Sequence, residues 1–284
     1  MATEKEYPPQ DTPSSYTTGA TIIPLEPIDD CTCNVLCYAA LADKHSGTMY
    51  TDATGALPAV TLESNQYYFI AYAYDLNYIF ALPISNLRDE TILTAFDKVF
   101  QELKSKGFKP TFNVTDNQAA TPIKQYLSKE QTSWQFVEPN NHRVNAAEHA
   151  IQTFKDHFIS ALATTNSEFP LQLWDKLTSQ VETTLNLMRA SRINPTISAY
   201  EAIWGPYDWN RFPLAPPGCK AVIYESPAAR GSWGSRGTDA WYLGPLLDHH
   251  RCNHYFVPET QAYHISGSAE LFPQHCQVPF MSIN

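Results

Sequence analysis

The fold is decided by residues 47–82, which read GTMYTDATGALPAVTLESNQYYFIAYAYDLNYIFAL. The run at 47–52 is typical of a short strand that ends in an acid, Asp52. Two further runs, residues 67–74 and 78–82, combine aromatic and aliphatic side chains and therefore also favour strands. Asp75-Leu76-Asn77 between them is typical of a hairpin turn. The stretch therefore predicts three consecutive strands.

Helical and strand patterns alternate downstream of this stretch. Apolar residues recur with helical spacing over 89–106, and Gly107 is suited to end that helix. Residues 111–115 and 134–137 predict two more strands, the first of which delivers Asp116. Further helices are predicted at 122–129, 144–163, 171–188 and 196–204. The result is an α/β segment with five strands.

The chain of 284 residues has room for about two domains at roughly 150 residues each. Residues 1–45 form a flexible N-terminal arm, since residues 1–28 are rich in Pro, Ser and Thr and poor in aliphatic residues. Residues 46–205 form the α/β core. Pro, Gly and aromatic residues dominate 206–284, and the short runs 221–224, 240–243 and 254–257 predict a small β-rich C-terminal domain.

Three acids occupy positions suited to metal chemistry. Asp52 and Asp116 end strands, and Glu148 lies in the first turns of a helix. The order β-β-β-α-β-α-β-α, with acids at these places, matches a ribonuclease-H-like mixed five-stranded sheet flanked by helices. Strand ends in such sheets face a common crevice. Carboxylates suit Mg²⁺ or Mn²⁺, and two ions about 4 Å apart can clamp a phosphoryl centre.

Other interpretations of the same acids remain open. Asp52 could cap a strand turn, Asp116 could be a helix N-cap, and Glu148 could be a solvated acid on a helix face. Asp75 is interpreted as a turn residue rather than as a ligand. Asn117 either positions substrate or forms an Asx turn.

The sequence segments around these acids resemble those of copia-type retrotransposon integrases. The matching blocks are residues 51–58 with 67–70, the hairpin at 74–78, residues 115–117, residues 145–148 with Thr153, residues 194–205, and residues 230–233 with 237–245. The resemblance covers about residues 47–275. The sequence departs from the family at Gln118 and Asn145, where the family has glycine, and at Gln152, where it has a base. The family's upstream zinc module is not recognisable in residues 1–46.

The resemblance implies a two-metal polynucleotidyl transferase that processes DNA ends and transfers strands. Asp52 would bridge the two Mg²⁺ or Mn²⁺ ions, Asp116 would complete one site, and Glu148 would complete the other. Lys155, Asn117 and Gln152 are the candidates for DNA contact. The implied partners are element-end and target DNA and further copies of the chain. The implied location is the nucleus or a cytoplasmic retroelement particle, with no secretion and no membrane.

The net charge of −10 favours a different function. Nucleic-acid binders need Lys and Arg for phosphate contacts. Residues 1–45 carry seven acids and two bases, so half of the negative charge lies outside the predicted core. The alternative is a catalytically weak or co-opted integrase remnant that acts as a nucleic-acid- or protein-binding module.

A zinc-dependent β module is the third hypothesis, because strand alternation would put His250, Cys252 and His254 on one face. Cys31, Cys33 and Cys37 are interpreted as plain thiols, which stay reduced inside cells. Trp233 and Trp241 are both expected in the core of the β domain.

Overall fold

The computed structural model describes residues 45–115, 120–136, 146–224 and 233–273. The predictions for residues 1–44, which include Cys31, Cys33 and Cys37, fall outside the described residues, as do those for Asp116, Asn117 and Gln118. Among the helices in the described ranges, none is long and apolar enough to cross a membrane.

The first sheet has five strands: β1 (Thr48–Ala53), β2 (Tyr67–Ala73), β3 (Tyr78–Ile84), β4 (Phe112–Thr115) and β5 (Ser133–Phe136). Their spatial order is β3-β2-β1-β4-β5. Strands β1, β2 and β3 form an antiparallel meander, whereas β4 and β5 run parallel to β1. The four-residue turn between β2 and β3 includes Asp75, as the sequence predicted.

Helices cover both faces of this sheet. They are α1 (Asp89–Ser105), α2 (Ala120–Lys129), α3 (Ala146–Ala163), a 3₁₀-helix (Leu171–Leu177), α4 (Thr178–Leu187) and α5 (Ala199–Trp204). On one face, α1, α2 and α5 contribute to a buried cluster around Phe96. On the other face, α3, the 3₁₀-helix and α4 pack in a cluster around Phe154. The predicted ribonuclease-H-like α/β fold is confirmed.

Two of the predicted helices differ from the observed helices in their type or in their first residue. Residues 171–188 form a 3₁₀-helix followed by α4 rather than one helix. Trp174 and Leu177 are both buried, and their three-residue spacing suits a 3₁₀ turn, in which positions i and i+3 eclipse. The helix predicted from 196 begins at Ala199, because the Ser198 side chain accepts a hydrogen bond from the Glu201 amide as its N-cap.

A second, wholly antiparallel sheet follows. Its strands are β6 (Lys220–Tyr224), β7 (Gly237–Pro245), β8 (Asn253–Val257), β9 (Ala262–Ser266) and β10 (Ala269–Phe272), in the order β10-β6-β7-β8-β9. The predicted C-terminal β structure is therefore present. Trp241 is buried as expected, but the prediction for Trp233 is wrong, since Trp233 is 100% exposed.

The two sheets share one hydrophobic cluster. Trp241, Leu243 and Phe256 of the second sheet belong to the same buried cluster as α3 and the 3₁₀-helix. The Trp241 ring lies edge-on to Phe169, with ring centroids 5.9 Å apart. Helix α4 thus packs between the two sheets, in contact with β3 of the first and β7 of the second.

Candidate functional site

Asp52 lies near the end of β1, on the face covered by α3. Tyr50, two residues earlier, belongs to the same buried cluster as Ala147 and Ile151 of α3, whereas Met49 belongs to the cluster on the opposite face. Side chains alternate along a strand, so Asp52 shares the α3 face with Tyr50. The Asp52 side chain is half-buried, and its Oδ1 accepts a hydrogen bond of 2.7 Å from the Ala53 amide.

Strand β4 runs parallel to β1 with a defined register. Tyr50 pairs with Val114, and Thr51 pairs with Thr115. Val114 packs against the α3 cluster, as Tyr50 does, so the same face of both strands lies beneath α3. The described part of β4 ends at Thr115, and Asp116 is the next residue of the chain.

Glu148 is an exposed residue in the first turn of α3. Its neighbours Ala147 and Ala150 are buried, which fixes the rotation of the helix about its axis. Backbone N–H groups at a helix N-terminus carry partial positive charge and stabilise a carboxylate there. Because α3 packs against β1 and β2, Glu148 belongs to the helix that covers the face of the sheet on which Asp52 lies.

Gln152 and Lys155 lie further along the exposed side of α3. Positions 148, 152 and 155 recur with helical spacing and therefore share one face. The Gln152 side-chain amide donates a 2.7 Å hydrogen bond to Asp156 Oδ1, one turn away. Gln152 is thus held by an acid of its own helix, and Lys155 is the cation on this face.

The donor chemistry of this region fits a hard divalent cation. Asp52 and Glu148 offer carboxylate oxygens, the ligands that Mg²⁺ and Mn²⁺ prefer. Within the described ranges, no three His, Cys, Asp or Glu side chains form a group that could hold a metal ion. Asp116, the third predicted ligand, lies outside those ranges, as does Asn117.

The structure explains two other sequence features without a metal. Asp75 is a turn residue: its Oδ2 accepts a 2.7 Å hydrogen bond from the Gly47 amide, and its carbonyl accepts bonds from the amides of Arg192 and Ile193. The expected strand alternation from His250 to His254 is wrong. Strand β8 begins only at Asn253, and His250 lies in a turn.

The polar side chains that α4 directs at β3 were not predicted from the sequence. Asn186 and Glu182 lie one turn apart on α4 and bond to the backbone of Ile79 and Ala81. Burial raises the pKa of Glu182 to about 7, although bonds from the Ala81 amide and the Tyr78 hydroxyl favour its charged form. Acidic and amide residues within a helical apolar pattern, at a four-residue spacing, were the available signal.

Comparison with known proteins gives distant structural similarities. No protein-family model and no curated protein matches the chain. The catalytic core domain of BIV integrase is similar with 14% identity and a TM-score of 0.41, over 56% of this chain and 93% of that one. The HTLV-2 integrase catalytic core domain in complex with magnesium, in a trimeric form, is similar with 13% identity and a TM-score of 0.41, over 56% and 96%.

A third solved structure extends over more of the chain. The simian T-cell lymphotropic virus intasome in complex with PP2A regulatory subunit B56 gamma is similar with 12% identity and a TM-score of 0.44, over 82% of this chain and 80% of that one. The solved structures to which this chain is distantly similar in fold thus include two integrase catalytic cores and one intasome.

Proposed function

We propose that this chain contains the catalytic core of a copia-type retroelement integrase, which acts on DNA as a two-metal polynucleotidyl transferase. Asp52, Asp116 and Glu148 are its catalytic and metal-binding residues. Residues 46–205 form the catalytic unit, and residues 206–284 form an accessory β domain. The copies of the chain that hold two DNA ends form a homo-oligomer.

The observation that carries this proposal is the parallel pairing of β1 with β4. Thr51 is opposite Thr115, the last described residue of β4, and we propose that the pairing continues by one residue, which would bring Asp116 beside Asp52. Neighbouring strands lie about 4.8 Å apart, a spacing at which two carboxylates can share ions about 4 Å apart. Tyr50 and Val114 face α3, so alternation directs Asp52 to that face and would direct Asp116 there if β4 continued by one residue.

Glu148 is proposed as the third ligand, contributed by a helix that covers this face of the sheet. It lies in the first turn of α3, the helix that packs against β1. Bound Mg²⁺ or Mn²⁺ would supply Lewis acidity toward the attacking hydroxyl and the leaving oxygen. The protein's own part is to hold three carboxylates on rigid elements and to orient the DNA phosphate between them.

The chemical step is a transesterification. A 3′-hydroxyl oxygen of the donor DNA forms a bond to a target phosphorus, and the target's bond from that phosphorus to its 3′-oxygen breaks. The attacking hydroxyl loses its proton, and the displaced 3′-oxygen gains one. Lys155 and Gln152, on the exposed face of α3, and Asn117 are proposed to contact the DNA.

A joining assay tests this function with a second readout for the metal. A labelled short duplex and a supercoiled plasmid are incubated with the chain in Mn²⁺, and Mn²⁺ binding is followed separately by electron paramagnetic resonance. We expect Asp52→Asn and Glu148→Gln to lose joining and to weaken ion binding. Glu90→Gln, an exposed acid of α1, is the matched control and should change neither.

A second candidate function is a co-opted module that binds nucleic acid or protein without catalysis. The bond from Gln152 to Asp156 supports it, because the position where a base is expected holds a neutral side chain that is bonded to an acid. The net charge of −10 also favours a function without DNA joining. DNA binding without joining, with Mn²⁺ binding unaffected by Asp52→Asn, would favour this candidate over the integrase.

A further inference from the structure

A cavity of about 390 Å³ lies at the outer edge of the first sheet, where β3 meets helices α1, α4 and α5. Strand β3 is the edge strand, two positions away from β1, so the cavity is separate from the predicted metal centre. Its volume falls in the range of small-molecule sites. Its lining is both aromatic and acidic, and includes Tyr78, Tyr200, Trp204, Glu102, Asp175 and Glu182.

Asp175 is a buried acid of this lining, and one of its two carboxylate oxygens lacks a hydrogen-bond partner among the described residues. Its side chain is 3% exposed. One carboxylate oxygen, Oδ2, accepts a 2.9 Å hydrogen bond from the Asn65 amide, and Lys176 Nζ lies 4.0 Å from the same oxygen. The other oxygen, Oδ1, is buried and has no hydrogen-bond partner among the described residues. Buried carboxylate oxygens strongly favour a donor, preferably a charged one.

The other ionisable groups leave the cavity negative. Glu102 is half-buried, and burial raises its pKa, while Lys98 and Lys106 oppose that rise. The two carboxylate oxygens of Glu182 already accept hydrogen bonds, one from the Tyr78 hydroxyl and one from the Ala81 amide, each at 2.9 Å. Among the described lining residues, Lys98 is basic and Asp175, Glu102 and Glu182 carry carboxyl groups, of which Glu182 is partly protonated near pH 7. A positively charged ligand would offset this excess.

The apolar lining matches the stem of such a ligand. Phe80, Leu82 and Pro83 supply aliphatic and aromatic surface, and Tyr200 is nearly fully buried. Trp204 already accepts a cation on its ring, since Lys106 Nζ lies 4.2 Å from the centroid. Aromatic rings beside carboxylates are the usual surroundings of bound ammonium and guanidinium groups.

We propose that this cavity binds an organic cation, an ammonium or guanidinium group on an alkyl stem. The charged head donates to Asp175 Oδ1 and lies near Glu102, and the stem packs against Leu82 and Tyr200. The head belongs either to a Lys or Arg side chain of a partner protein or to a free polyamine-like molecule. The site needs none of the residues assigned to metal binding or DNA contact.

Titration calorimetry on the full chain tests the proposal with defined probes. Agmatine and n-butylammonium carry the charge, 1-butanol is the neutral control, and an acetyl-Ala-Arg-Ala-amide peptide represents a protein side chain. We expect agmatine to bind with a Kd on the order of 1 mM, as suits a ligand of this size, and 1-butanol about tenfold more weakly. Peptide binding as tight as that of agmatine identifies a protein side chain as the source, and weaker peptide binding identifies a free cation.

Three variants complete the test. Asp175→Asn keeps an acceptor for Asn65 and removes the charge, and Glu102→Gln does the same in the half-buried part of the lining. Each should weaken agmatine binding about fivefold or more, whereas Glu90→Gln, outside the cavity on α1, should not. Equal binding of 1-butanol, no binding of agmatine, or unchanged binding in Glu102→Gln and in folded Asp175→Asn would overturn the proposal.

Discussion

At the residue scale, Glu182 and Asp52 are carboxyl groups with different surroundings. Glu182 accepts bonds from the Tyr78 hydroxyl and the Ala81 amide, inside a layer of packed helix and strand. Burial still raises its pKa to about 7, because desolvation outweighs the two hydrogen bonds. Asp52 lies near the end of β1 and is half-buried, so part of its surface is exposed to solvent.

Glu182 should make the stability of the protein depend on pH. Its pKa is raised on folding from 4.5 to about 7, so the folded state binds the proton more tightly. This contribution is fully present below pH 4.5 and is lost as the pH rises through 7. The loss is at most about 3 kcal/mol, at 1.36 kcal/mol per pKa unit, and the partial exposure of the residue reduces it.

The substitution Glu182→Gln should remove this dependence. Urea unfolding from pH 4.5 to 8 should show that the variant gains stability relative to the wild type as the pH rises. The matched control, Glu90→Gln, should follow the wild-type curve. Parallel curves for Glu182→Gln and the wild type would show that this carboxyl does not titrate in that window.

Asp52 should be needed for stabilisation by metal but not for folding. In the wild type, Mg²⁺ or Mn²⁺ should raise the melting temperature, because the ion offsets repulsion between close carboxylates. Asp52→Asn, and likewise Asp116→Asn, should abolish that rise. In a chelator, Asp52→Asn should melt no lower than the wild type, since Asn can still accept the Ala53 amide bond. A metal-induced rise that persists in the variants would place the ion elsewhere.

At the element scale, α4 acts as a cap for the edge strand β3. Asn186 Oδ1 accepts the Ile79 amide, and Asn186 Nδ2 donates to the Ile79 carbonyl, both at 2.9 Å. One turn earlier, Glu182 accepts the Ala81 amide. The outward backbone groups of an edge strand invite pairing with other chains, and these side chains occupy them.

Asn186→Ala should therefore lower the free energy of unfolding by more than the loss of a side chain of this size would alone. It leaves the buried amide and carbonyl of Ile79 unpaired, at about 2–4 kcal/mol of unfolding free energy. Urea unfolding at constant pH measures the loss. Met188→Ala, one residue beyond the same helix and 69% exposed, is the control and should stay within about 0.5 kcal/mol. Equal effects of the two substitutions would contradict this role for Asn186.

Helix α3 is the element that the proposed function needs for DNA. Lys155→Glu should nearly eliminate DNA binding, and Gln152→Lys should strengthen it and steepen the salt dependence by about one unit. Fluorescence anisotropy with a short duplex at several salt concentrations measures both. Lys129→Glu, at the end of α2, is the control and should have little effect. Unchanged affinity in Lys155→Glu would mean that this face of α3 does not contact DNA.

The elements also show how far the sequence alone can predict this protein. Helix α1 was predicted within one residue, because its apolar positions recur regularly and Gly107 follows. Strand β9 was missed, since Tyr263, His264 and Ile265 are all exposed and show no alternation. The place of Asp52 near the end of a strand and of Glu148 in the first turn of a helix followed from the predicted elements, whereas their role as ligands stays a prediction. The cavity was not, because it joins β3 to helices about one hundred residues later.

At the scale of the whole molecule, the shared cluster links the two sheets mechanically. Trp241 and Phe256 of the second sheet pack in the same cluster as Trp174 of the 3₁₀-helix and Phe158 of α3. Polar contacts add to this: Gln180 of α4 donates a 2.6 Å bond to the Ala215 carbonyl, and the Asn166 amide donates to the Gly218 carbonyl. We expect residues 46–205 and 206–284 to unfold together.

Trp241→Ala tests this coupling. The residue is 8% exposed and lies edge-on to Phe169, so its loss leaves a cavity between the two sheets. We expect a cost of about 3–5 kcal/mol. Amide hydrogen exchange should show protection falling together in β1–β5 and β6–β10. Trp233→Ala removes the same side chain from a fully exposed position and should change neither stability nor exchange. If Trp241→Ala lowered protection only in β6–β10, the second sheet would unfold independently, and residues 46–205 would be a core that is stable without it.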